Sequence, residues 1–515
     1  MSTTTDSPTG QDDELEIVTP EGRTSTVLKS NALGLPALFF CIATAAAPMT
    51  ALLFNVPVIV SGGGWAAPSA FILATIMLLI FTVGYIEMSR RVTTAGGFYS
   101  FVSHGFGRIA GLGTAAVVTV SYAVLSAAII GVFGYFANTT IESWLHIDVP
   151  VWILMFGAIV VDLLFAWFDI KITARILGVF FAAEVLGALI LAVAILAVGG
   201  ANGLTAAPLN PVKLFNNPSA ISVFGAAAPG IALFGAFWSW VGYETAPNYG
   251  EESRQPKHIL GRATYATLFV LGVVYILVTY AFVVGWGTNH VAQAVNAQYK
   301  GETISAFYPL TTRYAGVWLT DAFKVLIITS SFACQLAFFN TASRYMFALG
   351  RERLLPSVLG RTHGKHKTPH VAAVVLAIAM FIYVGGFVLS DSSTEAALTK
   401  LATWSPLLGV FGILAIQALV SFAIVRYFWT VDRTHFHPWK TLIAPLVGGG
   451  LMVFSCFLLL KNRDALAGAT NSVFVEAIPW VMLGIFLLGV AAALYYRARD
   501  GERYAAVGRF VHEDA

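Results

Sequence analysis

Thr44-Ala45-Ala46-Ala47-Pro48-Met49-Thr50 lies in the middle of the first long apolar run of the chain, where a membrane-spanning helix should run unbroken. A proline there removes one backbone donor and crowds the preceding turn, so helical winding is expected to stop near Pro48. The sixth apolar run carries a matching interruption. It reads Ala228-Pro229-Gly230 and then, a few turns later, Ser239-Trp240-Val241-Gly242-Tyr243-Glu244. Lipid cannot satisfy a bare amide or carbonyl, so an unwound stretch at membrane depth persists only where it lines a cavity.

Composition sets the class. Over 515 residues the chain is 57% apolar and 11% charged, with a mean hydropathy of +0.76, whereas roughly a quarter of the residues of a soluble globule are charged. Apolar runs of about 20 residues are centred near residues 45, 76, 122, 160, 186, 235, 272, 332, 380, 413, 451 and 486. Twelve spans predict an all-α integral membrane protein with both termini on one side. Breaks at corresponding places in two halves of such a chain are the sequence mark of a secondary carrier's solute site.

Placing alternate loops on alternate sides leaves Lys213, Lys300, Arg313, Lys324, Lys400, Lys461 and Arg463 opposite the termini, and the other 23 of the 30 Lys and Arg on the side of the termini. The positive-inside rule then puts both ends in the cytoplasm, with the plasma membrane as the expected location. This asymmetry accounts for the net charge of +3, and no nucleic-acid partner is expected. Residues 1–28 read as a disordered tail without the pattern of a signal peptide, 29–498 as one membrane domain, and 499–515 as a second polar tail. The stretch 88–108 is expected along the interface, 287–314 as the largest outer loop, and 350–370 as a basic inner one.

Cys41, Cys334 and Cys456 are dispersed over three spans with no metal or redox spacing, and read as packing residues. No His, Cys and Asp grouping inside the spans suggests a nucleophile with its base, or a metal set. An enzyme is therefore not expected, and no cofactor beyond a co-transported H+ or Na+. Broken helices in a single chain also argue against a channel, while a nutrient sensor on a carrier scaffold remains a second class.

Several polar residues sit within the spans. Glu184 interrupts Leu177-Gly178-Val179-Phe180-Phe181-Ala182-Ala183-Glu184-Val185-Leu186-Gly187 with no basic residue within a helical turn. It is either the group that picks up and releases a proton or a carboxyl held neutral by a neighbouring hydroxyl. Glu244 closes the run Phe237-Trp238-Ser239-Trp240-Val241-Gly242-Tyr243-Glu244 and belongs either to the cavity or to a cluster with Glu251, Glu252 and Arg254. Thr329, Ser330 and Ser331 form a small-cation site or bond back to their own helix. Tyr122 and Ser126 either reach the cavity or pack. Asp162 has the ambiguity of Glu184 with less to mark it. Asp321 and Lys324 read as a local ion pair.

Three blocks resemble the amino acid–polyamine–organocation (APC) permeases. The first is Glu87-Met88-Ser89-Arg90-Arg91-Val92-Thr93-Thr94-Ala95-Gly96-Gly97-Phe98-Tyr99. The second is Gly242-Tyr243-Glu244 with Glu251-Glu252-Ser253-Arg254-Gln255-Pro256 and Arg262-Ala263. The third is Ser343-Arg344-Tyr345-Met346-Phe347-Ala348-Leu349-Gly350-Arg351-Glu352-Arg353-Leu354-Leu355-Pro356 followed by Lys367-Thr368-Pro369.

The resemblance implies a LeuT-type five-plus-five inverted repeat with two extra helices, alternating access, and uptake of amino acids, polyamines or related amines, coupled to protons or by exchange. It places the substrate on Ala45, Ala46, Ala47, Pro48, Met49 and Thr50, and on Phe237, Trp238, Ser239, Trp240, Gly242 and Tyr243. Where many relatives carry a Gly-Ser-Gly-Ile run this chain has Ala-Ala-Pro-Met-Thr, a variant similar to putrescine-importer-like branches. Several relatives place a lysine where Glu184 aligns. The expected function is import of an amino acid, with a polyamine or ethanolamine-type amine as the alternative. A substrate carboxylate is expected on the freed N–H groups near Met49 and Thr50, with the amine near the rings of the sixth span.

Overall fold

In lipid a backbone must satisfy its own amides, which leaves helices or closed barrels as the spanning elements, and this chain forms helices. The computed structural model describes residues 17–19, 22–24, 28, 31–92, 96–167, 170–216, 228–364, 366–468 and 473–508, with the backbone alone at 17–19, 22–24 and 170–177. Among these residues nine helical stretches are long and apolar enough to cross a bilayer. The first, Leu35–Ser89, holds two apolar runs in one stretch, and Val151–Trp167 is a shorter apolar helix. The tail read over residues 1–28 lies outside the described residues, save Leu28 and a hairpin of β1 (Ile17–Thr19) with β2 (Gly22–Thr24).

The principal helices are α1 (Leu35–Ala45), α2 (Val56–Gly63), α3 (Ala67–Ser89), α4 (Gly97–Phe106), α5 (Arg108–Leu145), α6 (Val151–Trp167), α7 (Ile170–Val198), α8 (Pro229–Trp240), α9 (Pro256–Trp286), α10 (Val317–Arg351), α11 (His370–Ser390), α12 (Ala402–Thr430), α13 (Ala444–Lys461) and α14 (Val473–Arg499). The long helix α5 is the central post, packed by α4, α10, α12 and α14. Small residues allow close approach where area burial gives no advantage over lipid. A Cβ at Gly409 of α12, for example, would stand 2.5 Å from Leu125 Cγ of α5. On the other side, α1 packs against α7, α9 and α10, and α8 against α2, α3 and α13.

Three readings need correction. Pro229 opens α8 as its first residue, with Ala228 as the N-cap, so Ala228-Pro229-Gly230 starts that helix instead of interrupting it. Proline at the first helical position loses no hydrogen bond. The stretch 88–108 contains α4, whose Phe98, Tyr99 and Phe101 are buried, so that helix is packed inside the protein and not laid along the surface. The outer loop 287–314 folds as two short helices, Val291–Tyr299 and Phe307–Ala315, the second running one residue past the expected end.

Candidate functional site

Helix α1 stops at Ala45. Ala47 is left-handed, with φ 44°, a conformation that disfavours a Cβ; winding resumes at Pro48 and continues through a wide turn over Ala51–Asn55 into α2. The amides released by this break have found side-chain partners. Met49 N–H donates to Glu184 Oε2 at 3.2 Å, and Thr50 N–H to Ser330 Oγ at 3.1 Å. Ser330 in turn donates to Glu184 Oε2 at 2.7 Å. Glu184 is fully buried, and its Oε1 has no partner.

The second break follows α8. Val241 is extended (ψ 129°) and Gly242 has φ 114°, before tight turns over Tyr243–Glu252. Only glycine tolerates that φ without strain, and a Cβ at Gly242 would lie 2.6 Å from Ala45 Cβ, so the two breaks touch. Glu244 caps the second break, accepting from Gly242 N–H at 3.0 Å and from Tyr122 Oη at 2.7 Å. Its carbonyl accepts from Tyr85 Oη at 2.7 Å.

The carbonyls freed at the breaks also have donors. Tyr275 of α9 places its hydroxyl 2.7 Å from Ala46 O and 3.2 Å from Ser239 O, and its single hydrogen serves an acceptor on each broken segment. Cys334 Sγ donates to Ala45 O at 3.1 Å. Asn55 Nδ2 donates to Ser239 Oγ at 2.9 Å. Between the breaks lies a small cavity, with room for about one water molecule, lined by Ala45, Ala46, Ala47, Thr50, Ala51, Asn55, Ile129, Trp238, Ser239, Cys334 and Phe338. The arrangement offers backbone and small polar groups to a small solute, and no nucleophile paired with a base.

Residues 33–488 match the family described as amino acid permease. The chain belongs to that family. It is 22% identical over 439 residues to the branched-chain amino acid permease BcaP of Bacillus subtilis, covering 81% of this chain and 84% of the relative. An uncharacterized transporter of Rhizobium meliloti is 24% identical over 387 residues, covering 72% and 75%. The large neutral amino acids transporter small subunit 2 of Mus musculus is 23% identical over 427 residues, covering 81% and 73%. This permease is thus a multi-pass membrane protein of the APC superfamily, with amino acid transporters among its relatives.

Six of the residues singled out in the permease sequence line the cavity: Ala45, Ala46, Ala47, Thr50, Trp238 and Ser239. Pro48, Met49, Phe237, Trp240, Gly242 and Tyr243 are buried at the breaks outside that lining. Trp240 packs its ring on Tyr243 and Tyr275 instead. Tyr122 is taken up by Glu244, and Ser126 by the carbonyl of Gln335. Of the three hydroxyls in α10 only Ser330 reaches Glu184, while Thr329 and Ser331 bond back to their own helix. The Met49 and Thr50 amides, expected to meet a substrate carboxylate, meet Glu184 and Ser330 because α7 and α10 pack against the turn Pro48–Thr50.

Tyr275 and Asn55 are not among the residues singled out in the sequence, and Cys334, expected only to pack, also bonds the Ala45 carbonyl. Tyr275 and Cys334 stand on otherwise ordinary apolar helices, whereas Asn55 carries a signal, an amide within a span. The acidic pair after the second break is also resolved in the permease. Glu252 pairs with Arg344, which lies over the Tyr249 ring, and Glu251 pairs with Arg351 at 2.6 Å. Glu244 belongs to neither pair. Leu33 forms a bridge with Ser253, tying the foot of α1 to the stretch after the second break. Asp321 and Lys324 are paired at 3.1 Å. Among the described residues no His, Cys, Asp or Glu grouping is suited to a metal ion.

Proposed function

We propose that this permease imports an amino acid across the plasma membrane by alternating access, with proton movement coupled through Glu184. The observation that carries the reading is the Glu184 carboxylate, buried without a cation and bonded to the freed Met49 amide and to Ser330. Adding or removing its proton changes what holds the first break against α7 and α10. A membrane-buried ionisable group is a functional candidate by default. Relatives named as amino acid carriers support the substrate class.

Twelve spans are reached by counting Leu35–Ser89 as two and adding the short Val151–Trp167 and Pro229–Trp240 to the other long stretches. The proposed architecture is a five-plus-five inverted repeat followed by two further helices, with both termini cytoplasmic.

The occupied amides at Met49 and Thr50 favour a second reading, in which the solute is an amine without a carboxylate. A third places Na+ among the oxygens of Glu184, Ser330 and Thr50, which suit a hard cation. Proteoliposomes loaded against an imposed pH or Na+ gradient, with labelled leucine or putrescine as probe, separate the three. Leucine accumulation driven by the pH gradient is expected. Binding without uptake of either probe would favour a sensor and overturn the proposal.

A further inference from the structure

Asp162 lies in the middle of α6, fully buried, and plays no part in the solute site or in the coupling reading. Its Oδ1 takes one long bond, 3.5 Å, from Gln335 Nε2 of α10. The two remaining oxygens of this pair, Asp162 Oδ2 and Gln335 Oε1, are both buried and both without a partner. Both are acceptors when Asp162 is ionised, so neither can satisfy the other, and buried polar atoms rarely stay unpaired. A proton on Oδ2 gives the pair the donor that it lacks.

Among the described residues the surroundings offer no other remedy. Phe165, one turn along α6, and Phe332, one turn back along α10, pack their rings 5.7 Å apart. The helices packed on α6 are α5, α10 and α11. Their titratable groups are engaged elsewhere: Tyr122 with Glu244, Lys324 with Asp321, Arg344 with Glu252, Arg351 with Glu251, and Tyr383 with Ser405. Cys334 turns to Ala45 O, Tyr345 stacks on Tyr122, Tyr135 packs on Phe136, His370 packs on Trp167 and His363, Arg108 lies over the Tyr504 ring, and Glu142 is exposed at the end of α5.

We propose that Asp162 and Gln335 form a proton-binding site separate from Glu184, a carboxylic acid–amide pair that bridges α6 and α10 and holds its proton on Asp162 Oδ2 at pH 7. The ligand is a proton taken from water. The site borders the solute cavity through the chain itself, since Gln335 follows Cys334 of the cavity wall. Ser126 Oγ fixes the Gln335 carbonyl at 2.9 Å.

Infrared spectra of the purified full-length protein test this without any transport assay, so the outcome stands apart from the Glu184 reading. In a Glu184→Gln background, carboxyl-¹³C aspartate should shift a protonated-acid carbonyl band at pH 7. Asp162→Asn should remove that band, and Gln335→Met should move it to higher frequency by deleting the amide acceptor. Absence of a labelled-aspartate acid band, or a band untouched by Asp162→Asn, overturns the proposal. If Asp162→Asn does not fold, the labelled parent and Gln335→Met still decide it, because a band that ignores Gln335→Met is not this pair.

Discussion

Glu184 Oε2 stands 3.2 Å from Met49 N and 2.7 Å from Ser330 Oγ, so one carboxylate oxygen ties the first broken helix to two helices of the surrounding frame. The protein's own acid and Ser330 thus occupy the Met49 and Thr50 amides that a solute's carboxylate was expected to find. The cavity between the breaks is lined by the alanines of the first break and by Thr50, Asn55, Trp238 and Ser239 among others. On the proposed reading, coupling and recognition meet on the one short segment 45–50.

Glu184→Gln keeps the hydrogen-bond acceptor for Met49 but removes the exchangeable proton. Uphill leucine accumulation in proteoliposomes under a pH gradient is expected to fall to equilibration, while counterflow of labelled against unlabelled leucine persists. Undiminished accumulation in this variant would remove Glu184 from coupling.

Tyr275→Phe keeps the stack on Phe71 and the edge contact with Trp240 but leaves the Ala46 and Ser239 carbonyls without their shared donor. A buried acceptor left unsatisfied costs about 1–3 kcal/mol, so the melting temperature should drop. In a protein whose other two cysteines are replaced by serine, maleimide should label Cys334 faster, because the two breaks are no longer tied. Unchanged stability and labelling would show that the shared bond contributes nothing.

Gly242→Ala forces a side chain onto φ 114° and into Ala45. Backbone strain of this kind costs about 1–3 kcal/mol, and the clash adds to it by pushing the breaks apart. Lower thermal stability is expected, together with loss of leucine binding measured by calorimetry. The same change at Gly386, where a Cβ meets nothing within 4 Å, serves as the control.

Arg344→Met leaves Glu252 buried without its cation, and breaking such a pair costs about 3–5 kcal/mol. Combining it with Glu252→Leu should recover most of that loss, since no charge then remains stranded. A full double-mutant cycle by thermal unfolding gives the coupling directly.

Glu352, just beyond the end of α10, is pushed from 4.5 up to about 7 by burial, opposed by bonds from Tyr99 Oη and Gly508 N–H. Because the folded value lies above the unfolded one, this group's stabilising contribution is complete below the ordinary carboxylate range and is lost as pH rises through about 7. The melting temperature should therefore fall between pH 5 and pH 8, and Glu352→Gln should flatten part of that fall.

The membrane class and the stopping points of the two helices follow from residues close together in the chain. Pro48 marks where winding resumes after the helix ends at Ala45, and Gly242 accepts a φ that other residues resist, so residues beside each interruption stood out in the sequence although their exact part in it did not. Pro229 misled because a proline opening a helix and one interrupting it look alike until the preceding turn is known. The buried acids Glu184 and Asp162 were visible as anomalies in apolar runs, since charge in lipid demands a reason wherever the helix lies.

Which groups answer those anomalies was settled only by the tertiary structure. Met49 and Glu184 are 135 residues apart, Ala46 and Tyr275 229, and Ala45 and Cys334 289. A helix's sequence fixes which residues share its faces but not which neighbour each face meets, because apolar packing in lipid is nearly indifferent to partner. Hydrogen bonds between freed backbone groups and single side chains depend on positions to within a fraction of an ångström, and only the assembled bundle supplies them.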